Sequence, residues 1–461
     1  MTDLYHDCLG YLYGRLNYER LGMPRSSELR VGRMRRLLRA LGDPQDALRI
    51  VHVAGTKGKG STSAMIAATL TASGLRTGLF CSPHLHSVEE RFAIDGLAIT
   101  AEEFVELVEA VRPVVTAFDA GAAADALRGP TFFEVTTAMG MLHFARRKTD
   151  AVVLEVGLGG RLDSTNAIRP VVSVITNISF DHTKQLGNTL AAIAREKAGI
   201  IKRGRPVVSG ERQSEPREVI RAVARQRRSR YREIGSDFEF DYQPPHQPLE
   251  RPTPGTVTTR LWNGSSVTGD LPLLGRHQAE NAAVAAATIE VLREEGLDIA
   301  QDALSRGFAG LAFPARVEIM GENPWLVVDG AHNVASALAL EETLRTCLPA
   351  VPRTLVFGTT RDKDLLGQLR VLLPGSSQVV ATRYVENPRA VPPEDVAAAV
   401  QSLAGPNVVI AADPREAIET ARRLTPSHGL ICVTGSLFLA AETRAVLLGM
   451  APVVRAGHSL T

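Results

Sequence analysis

A glycine-rich stretch with two lysines follows an apolar run and offers the clearest chemistry in the chain. Its sequence is IVHVAGTKGKGSTS, residues 50–63. Gly55, Gly58 and Gly60 can adopt positive φ and let the backbone approach an anion, while Lys59 supplies positive charge. The helix expected to follow would direct unpaired N–H groups at the same ligand. The stretch predicts a phosphate-binding loop, with a nucleotide as the first hypothesis.

This loop departs from the common Walker A pattern GxxxxGK[ST] in two places. Val53 occupies the position of the first glycine, and Gly60 separates Lys59 from Ser61 and Thr62. The plainer interpretation is a glycine-rich turn between a strand and a helix, with a solvated lysine. Three glycines interleaved with lysine favour phosphate binding over that turn. We therefore predict a variant nucleotide loop.

Further polar residues follow two apolar, strand-like runs. Glu155 ends the run AVVLE and precedes a second glycine loop, VGLGGRLDSTN. Its carboxylate suits a hard divalent cation, and the alternative is a helix cap or an ion pair with Arg161. Asp181 and His182 follow the run 171–176, on the side where ligands gather in open α/β sheets. A lone histidine is more often structural than a ligand, so His182 decides nothing by itself.

Lys197 lies on a predicted helix whose apolar neighbours imply partial burial. A buried lysine is costly unless it is paired or chemically altered. Near a metal it would need negative charge, and carbamylation by carbon dioxide would turn the amine into a carboxylate-like ligand. The residue types alone do not show whether this happens.

The elements that would position these residues alternate between strand and helix patterns, which predicts parallel α/β construction. We expect a first strand over 47–54 and a helix over 61–73. Thr100 and Glu103 form a capping box at the start of a later helix. Another helix is expected over 131–147, ahead of the strand that ends near Glu155.

Changes in composition divide the chain into two domains. Residues 231–274 contain clustered prolines and then short alternating segments, which predict a small β-rich excursion with a flexible loop. A long alanine-rich helix follows over 276–295. We predict a hinge at 307–314, between a first domain at 1–306 and a Rossmann-like α/β domain at 315–461. Strands of this second domain are expected from Trp325 and near 354–358, 378–382, 407–410 and 429–433.

The composition argues against several classes of protein. The chain has 461 residues, of which 44% are hydrophobic and 22% charged, as in a globular protein of two domains. A formal net charge of +2 gives no electrostatic case for nucleic acid or a membrane as the main partner. Four scattered cysteines without a CxxC pair indicate neither disulfides nor a thiolate zinc site. Without an apolar leader or a membrane-length apolar run, we expect a cytoplasmic protein.

Nine ordered motifs resemble those of the folylpolyglutamate synthase family of the Mur ligase superfamily, in its bacterial form that is also a dihydrofolate synthase. The correspondence runs from about Leu12 to Leu448. The motifs are AGTKGKGST (54–62), SPHL (82–85), EVGLGGRLDSTN (155–166), DHT (181–183), EKAGIIK (196–202), GRHQAEN (275–281), PARVE (314–318), DGAHN (329–333) and TGSL (434–437).

The resemblance implies an ATP-dependent ligase that adds L-glutamate to folates, and to dihydropteroate, through an acyl phosphate. The catalytic residues that it implies are Lys59, Lys197 and His332. The implied ATP-binding residues are Gly55, Thr56, Gly58, Lys59, Gly60, Ser61, Thr62, Asn281, Arg316, Asp329 and His332.

The same resemblance implies two Mg²⁺ sites and two further substrate sites. The first metal would be bound by Ser61 and Glu155, and the second by Glu155, His182 and carbamylated Lys197. The implied folate-binding residues are Ser82, Pro83, His84, Arg91 and Asp163. Glutamate would be bound by His332 and Ser436. The family also suggests a monomer and a possible K⁺ requirement, with small-molecule substrates as the partners.

Three positions depart from the pattern associated with the family. Lys57 replaces an asparagine in the phosphate loop, Cys81 replaces a threonine, and Ala315 replaces a glycine before Arg316. None removes a group that the chemistry requires, so we expect an active enzyme.

Two other functions are alternatives to a folate ligase. One is a Mur-type ligase that adds an amino acid to a cell-wall precursor, and the other is a non-ligase P-loop NTPase. The SPHL motif with Glu90 and Arg91 favours folate over the first. The variant loop and Lys197 argue against the second.

Overall fold

The computed structural model describes residues 2–21, 31–124, 129–245, 253–349 and 351–450. The chain forms two α/β domains, each built on a largely parallel sheet, and a small antiparallel sheet is attached to the first. This architecture confirms the predicted fold class.

Seven strands form the main sheet of the first domain: β1 (Ile50–Ala54), β2 (Thr77–Phe80), β3 (Ala93–Ile94), β4 (Ala151–Glu155), β5 (Val172–Ile175), β6 (Val207–Ser209) and β7 (Tyr231–Glu233). Their order is β3-β2-β4-β1-β5-β6-β7. All neighbouring strands are parallel except β3, which is antiparallel to β2. The central strands β4, β1 and β5 are buried throughout, which explains why their sequences are mainly apolar. Because these three strands are parallel, their carboxyl ends lie at the same edge of the sheet.

Eleven described helices belong to this domain: α1 (Thr2–Tyr13), α2 (Tyr18–Leu21), α3 (Val31–Ala40), α4 (Lys59–Ala72), α5 (Ala101–Ala124), α6 (Phe132–Arg146), α7 (Thr183–Leu186), α8 (Leu190–Ala198), α9 (Ser214–Gln226), α10 (Arg276–Glu294) and α11 (Ala303–Ala309). They cover both faces of the sheet. Val51 and Val53 belong to the core shared with α4 and α10, whereas Ile50 belongs to the core shared with α1, α3 and α6. This alternation follows from the two-residue period of a strand.

Several predicted bounds were wrong by a few residues. The first strand begins at Ile50, because Pro44–Ala47 forms a 3-10 helix. The next helix begins at Lys59, two residues before the predicted start. The capping box of Thr100 and Glu103 is present as predicted, with hydrogen bonds in both directions. The chain patterns therefore located the elements, while the local hydrogen bonds decided their ends.

The predicted β-rich excursion is confirmed as a three-stranded antiparallel sheet of β8 (Glu239–Gln243), β9 (Gly255–Arg260) and β10 (Ser266–Leu271). It packs against α10 and α11. Strand β7 lies within the predicted excursion but joins the main sheet instead. The flexible loop expected among the clustered prolines falls on 246–252, outside the described residues.

The second domain has six strands: β11 (Glu318–Glu322), β12 (Trp325–Val328), β13 (Arg353–Phe357), β14 (Gln378–Ala381), β15 (Val408–Ile410) and β16 (Leu430–Thr434). Its helices are α12 (Val334–Cys347), α13 (Leu365–Leu372), α14 (Pro393–Ser402), α15 (Pro414–Leu424) and α16 (Leu437–Leu447). The strand order is β11-β12-β16-β13-β14-β15, with β11 alone antiparallel to its neighbour. Each predicted strand of this domain is present within one or two residues of its expected bounds.

The connection between the domains begins later than the predicted hinge. Helix α11 continues to Ala309, so the first three residues of 307–314 are helical. Ala315 and Val317 adopt left-handed φ values of 56° and 50°, which explains why a glycine would suit position 315. The carbonyl oxygen of Ala315 accepts a hydrogen bond from the Gly330 N–H, which anchors this segment to the second domain. Motion at the connection stays a prediction.

No helix within the described ranges is long and apolar enough to cross a lipid bilayer.

Candidate active site

A cavity of about 670 Å³ lies between the two domains. The first domain lines it with residues that follow β1, β4 and β5, and the second with residues that follow β12, β13 and β16. The carboxyl edge of an open α/β sheet is where ligands bind, because the loops there diverge and leave a crevice. Two such edges therefore face one shared space.

The glycine-rich stretch forms the predicted loop between β1 and α4. Gly58 has a φ of 79°, and a Cβ atom there would lie 2.1 Å from Asn281 Oδ1, so glycine is required for this packing. The Thr56 hydroxyl donates to the carbonyl oxygen of Ser179 at 3.2 Å and accepts from its N–H at 3.0 Å. Because α4 begins at Lys59, the first N–H groups of that helix have no helical acceptor and are available to an anion.

Most predicted members of this loop line the cavity, and one does not. Gly55, Gly60 and Ser61 lie on its wall together with Lys59. Thr62 is fully buried behind the wall, and its hydroxyl has no hydrogen-bond partner among the described residues. The structure therefore brings the loop, but not the Thr62 side chain, to the space that a nucleotide would occupy.

Glu155 stands at the end of β4, lines the cavity and is only 5% exposed. Its Oε2 atom accepts the Ser82 N–H at 3.1 Å. Burial raises the pKa of Glu155, although the charge of Lys59 opposes the shift. A buried carboxylate gains most from a nearby cation, and the hydroxyl of Ser61 lines the same cavity. These oxygen donors fit Mg²⁺.

The second metal set depends on a modified lysine. Lys197 is 4% exposed and donates to the carbonyl oxygen of Gly55 at 2.7 Å. Burial, followed by the charge of Lys59, lowers the pKa of Lys197 well below its usual value. The neutral amine is the form that can attack carbon dioxide to give a carbamate, whereas the unmodified side chain brings no negative charge to a metal. The set therefore fits a second Mg²⁺ only with the carbamate present.

His182 lies at the start of α7 in a left-handed conformation, with φ of 48°, and lines the cavity. Burial lowers its pKa to about 4, so the imidazole is neutral, as a metal ligand must be. In the described part of the chain, one group of three acidic, histidine or cysteine side chains has its ligand atoms close enough together to bind one metal ion. This group is Asp7, Cys8 and Glu109, on α1 and α5, and it does not include His182.

Asp181 gathers polar groups from both domains. Its Oδ2 atom accepts from Lys57 Nζ at 3.0 Å and from Asn333 Nδ2 at 3.1 Å, and its Oδ1 atom accepts from Lys363 Nζ at 2.9 Å. Burial alone would raise the pKa of Asp181, but hydrogen bonding and these cations hold it well below its usual range. The carboxylate is therefore charged and joins the segment after β5 to the second domain.

His332 faces the phosphate loop from the second domain. Its Nε2 atom lies 3.0 Å from Lys57 Nζ, and its Nδ1 atom lies 2.9 Å from the Gly330 carbonyl oxygen. The charge of Lys57, followed by burial, lowers the pKa of His332 to about 4. The imidazole is therefore neutral, with Nδ1–H as the donor and Nε2 as the acceptor.

Three further residues predicted to bind ATP line the cavity, namely Asn281, Arg316 and Asp329. Asp329 accepts the N–H groups of Val317 at 2.9 Å and Ala331 at 2.8 Å, so it fixes the backbone on both sides of the site. Burial raises the pKa of Asp329 against the charge of Arg316. Arg316 itself donates to its neighbour's carbonyl oxygen, which leaves further N–H groups for a ligand.

The residues predicted to bind folate divide into two groups. Ser82, Pro83 and Asp163 line the cavity, whereas His84 and Arg91 do not. Arg91 is fully buried, and it donates to Glu19 at 2.5 Å and to His84 Nδ1 at 2.8 Å. The Tyr13 hydroxyl lies 3.3 Å from the other ring nitrogen of His84. His84 and Arg91 therefore support the wall from behind, and direct folate contact from them stays a prediction.

Asp163 is 2% exposed and is held by three groups of its own loop. It accepts the N–H groups of Leu158 and Thr165 and the Thr165 hydroxyl. Ser436, predicted to bind glutamate, lines the cavity and caps α16 by accepting the Phe438 N–H at 3.2 Å.

The sequence reasoning missed several residues of the cavity wall. Lys363 follows β13, so the rule that ligands gather at carboxyl ends would have identified it. Arg33 and Glu134 form an ion pair of 2.7 Å at the wall, and Arg389 reaches it from the second domain. These three lie far apart in the chain, and no local motif brings them together.

Two family models match the chain: the Mur ligase middle domain over residues 53–289, and the glutamate ligase domain of Mur ligases over residues 315–437. Together they span the two domains and both walls of the cavity. The protein is therefore a Mur ligase, which is a class of ATP-dependent ligases.

Similar proteins narrow the class further. The dihydrofolate synthase/folylpolyglutamate synthase of Bacillus subtilis is 32% identical over 449 residues, which are 96% of this chain and 99% of that protein. The structure of Mycobacterium tuberculosis folylpolyglutamate synthase complexed with ADP superposes with a TM-score of 0.87 at 33% identity, covering 98% of this chain and 99% of that one. Escherichia coli FolC in complex with DHPP and ADP matches with a TM-score of 0.81 at 26% identity, covering 96% and 98%.

The chain belongs to the folylpolyglutamate synthase and dihydrofolate synthase family of Mur ligases. This confirms the resemblance inferred from the nine motifs. It does not test the roles of individual residues, which stay predictions.

Proposed function

We propose that the protein joins L-glutamate to tetrahydrofolate and its polyglutamates, and to dihydropteroate, at the expense of ATP. The observation that carries the proposal is the single cavity, in which a phosphate loop and a buried carboxylate from one domain face His332 and Asp329 from the other. The relatives from Bacillus subtilis and Escherichia coli are named for both synthase activities.

The first chemical step is activation of the folate or pteroate carboxylate. A carboxylate is a poor electrophile, because its charge is spread over both oxygens. Transfer of the γ-phosphoryl group of ATP gives an acyl phosphate and ADP, and such a transfer needs positioning and positive charge more than covalent help. Lys59 and the free N–H groups at the start of α4 supply both at the loop.

Mg²⁺ fits the site beside the loop, where Ser61 and Glu155 would hold it. Bound there, it would neutralise phosphate charge during the transfer. A second ion would be held by Glu155, His182 and Lys197 as its carbamate. Lys197 already lies against the loop through its hydrogen bond to Gly55. The carbamate would therefore place a negative charge next to the Mg²⁺ ions that accompany the phosphates.

The second step joins the glutamate amine to the activated carbonyl carbon. The C–N bond forms, phosphate leaves with the C–O bonding electrons, and the amine loses a proton. Ser436 and His332 lie on the second-domain wall of the cavity, which faces the loop, and this supports a glutamate site between the domains. Because the His332 ring is neutral, it would orient the glutamate by hydrogen bonding and would not offset the charge of the glutamate carboxylates.

Exclusion of water matters because an acyl phosphate hydrolyses readily. A cavity walled by two domains can close around both substrates and open for release. The connection after Ala309 is the segment that would absorb this motion. A monomeric state, a cytoplasmic location and a K⁺ requirement stay predictions of the sequence.

The function is tested by supplying the purified protein with ATP, Mg²⁺ and L-glutamate, together with one of three acceptors. The acceptors are tetrahydrofolate, dihydropteroate and a UDP-muramoyl substrate, and the products are ADP, phosphate and the glutamylated acceptor, measured by mass. We expect product with both pterin acceptors and none with the third.

Each other result has a definite meaning. Product with the UDP-muramoyl substrate alone would identify a cell-wall ligase. Phosphate release that needs neither glutamate nor an acceptor would identify a plain NTPase. Product with tetrahydrofolate but not with dihydropteroate would leave a folylpolyglutamate synthase without the second activity.

A further inference from the structure

Lys57 occupies the middle of the phosphate loop and does not point into solvent. Its Nζ atom lies 3.0 Å from Asp181 Oδ2 and 3.0 Å from His332 Nε2. The side chain is 21% exposed. One cation therefore touches an acid of the first domain and an imidazole of the second.

The contact with His332 fixes the state of that ring. The Gly330 carbonyl oxygen can only accept, so His332 Nδ1, at 2.9 Å, carries the proton. The ammonium group of Lys57 then donates to Nε2. These two hydrogen bonds, one at each ring nitrogen, hold the imidazole in one tautomer and one orientation.

The contact with Asp181 extends the link to the rest of the second domain. Asp181 also accepts from Lys363 and Asn333, which lie on that domain. Asn333 caps the helix α12 through Ser336, so the network ends on a rigid element. The phosphate loop and the wall opposite are thus joined through charged hydrogen bonds that do not involve a substrate.

We propose that Lys57 is a positioning residue for the second step of the reaction: it holds His332 against the phosphate loop, so that glutamate meets the acyl phosphate only in the closed arrangement. This inference rests on the proposed function. Lys59, and not Lys57, serves the first step. When Lys57 is absent, the acyl phosphate still forms, but more of it is lost to water before the amine attacks.

Because Lys59 serves the first step and Lys57 acts through His332, Lys57 adjusts the reaction and does not create it. A graded loss is therefore expected, and not an inactive enzyme. That grading makes the effect measurable in steady-state assays.

The test compares the wild type with Lys57→Met and Lys57→Arg. The first step is followed without glutamate, as exchange of the ¹⁸O label between bridging and non-bridging positions of ATP in the presence of tetrahydrofolate. The second step is followed with glutamate, as glutamylated product formed per ADP released. The affinity for ADP and the unfolding midpoint in urea report on the fold.

We expect Lys57→Met to keep isotope exchange and ADP affinity within about threefold of wild type, while product per ADP falls by about tenfold. The KM for glutamate should rise more than the KM for ATP. Lys57→Arg, which keeps the charge and the donors, should recover part of the coupling between ATP use and ligation. A merely structural role would change stability and ADP affinity together, and would leave the product ratio intact.

The route through His332 is tested in a second background. In single-turnover measurements with His332→Gln, adding Lys57→Met should not lower the ligation rate further, because the partner is already gone. An equal loss in both backgrounds would overturn the proposal, as would a wild-type product ratio in Lys57→Met. If the wild type itself forms no glutamylated product, the proposed function fails instead.

Discussion

The amino group of Lys197 donates a hydrogen bond of 2.7 Å to the carbonyl oxygen of Gly55, the first glycine of the phosphate loop. This contact joins helix α8 to the loop across 142 positions of sequence. A lysine buried to this degree costs free energy in its charged form. The position is therefore better explained by chemistry at the loop than by stability, and it is where a carbamate would bring a second metal to the nucleotide.

Replacement of Lys59 by alanine should lower turnover by at least about a hundredfold, because it removes the loop cation that is assigned to the developing phosphate charge. ADP formation in the presence of folate and glutamate is the measurement. Lys184→Ala, an exposed lysine outside the cavity lining, is the matched control and should keep wild-type turnover. Retained activity in Lys59→Ala would show that the loop has been misassigned.

Gly58→Ala should impair both stability and nucleotide binding. The new methyl group would meet Asn281 Oδ1 at 2.1 Å and would also force alanine into a left-handed φ of 79°. Gly74→Ala separates the two effects, since Gly74 has φ of 86° but open space around its Cβ position.

For Gly74→Ala we expect a loss of about 1 kcal/mol in the free energy of unfolding, with unchanged ADP affinity. Gly58→Ala should lose more stability and bind ADP measurably more weakly. Urea unfolding and calorimetric titration with ADP decide the matter. Equal behaviour of the two variants would mean that the contact with Asn281 is unimportant.

Glu155→Gln should weaken the effect of Mg²⁺ on nucleotide binding. The amide keeps the shape and can still accept the Ser82 N–H, but it has lost the negative charge that suits a divalent cation. We expect the Mg²⁺-dependent gain in ADP affinity to fall by about tenfold or more. Affinities with Mg²⁺ and with a chelator give this gain directly.

Glu89→Gln is the control for Glu155→Gln. Glu89 is another buried glutamate, 7% exposed, and it lies outside the cavity lining, where it accepts the Tyr5 hydroxyl. It should leave the Mg²⁺ effect unchanged. The assignment of Glu155 would be refuted by the same Mg²⁺-dependent gain in both variants.

His52→Gln should make the protein less sensitive to acid. His52 is fully buried in β1, with Nε2 at 2.9 Å from the Thr165 hydroxyl, and burial lowers its pKa to about 3 from 6.5. Between these pH values the unfolded chain binds a proton that the folded protein does not, so stability falls as the pH falls through this window. Glutamine does not titrate and can still reach the hydroxyl.

Between about pH 7 and about pH 5, the wild type should therefore lose about 2 kcal/mol more of its free energy of unfolding than His52→Gln. Urea unfolding at the two pH values provides the comparison. The exposed His428, replaced by glutamine, should follow the wild type. A parallel pH dependence of His52→Gln and wild type would exclude His52 as the source.

Much of the fold was accessible from the sequence because its causes are local. The buried strands β1, β4 and β5 are mainly apolar runs, and the capping box of Thr100 and Glu103 marks the start of a helix within four residues. The helices α1 and α3 were not predicted, although they complete one core of the first domain. The start of the first strand was misplaced because Pro44–Ala47 forms a 3-10 turn of its own.

The sequence by itself determined the chemistry on offer: a phosphate loop with Lys59, an acid at the end of a strand, a lysine on an apolar helix and the ordered motifs of a Mur ligase family. Spacing within a few residues is enough for these features, because short loops and single helix turns fix their own geometry. Only the tertiary structure decided which of these groups share a space. It placed Lys57 between Asp181 and His332, and it set His84 and Arg91 behind the cavity wall. Contacts between residues more than a hundred positions apart depend on how two sheets and their helices pack, and no local pattern encodes that packing.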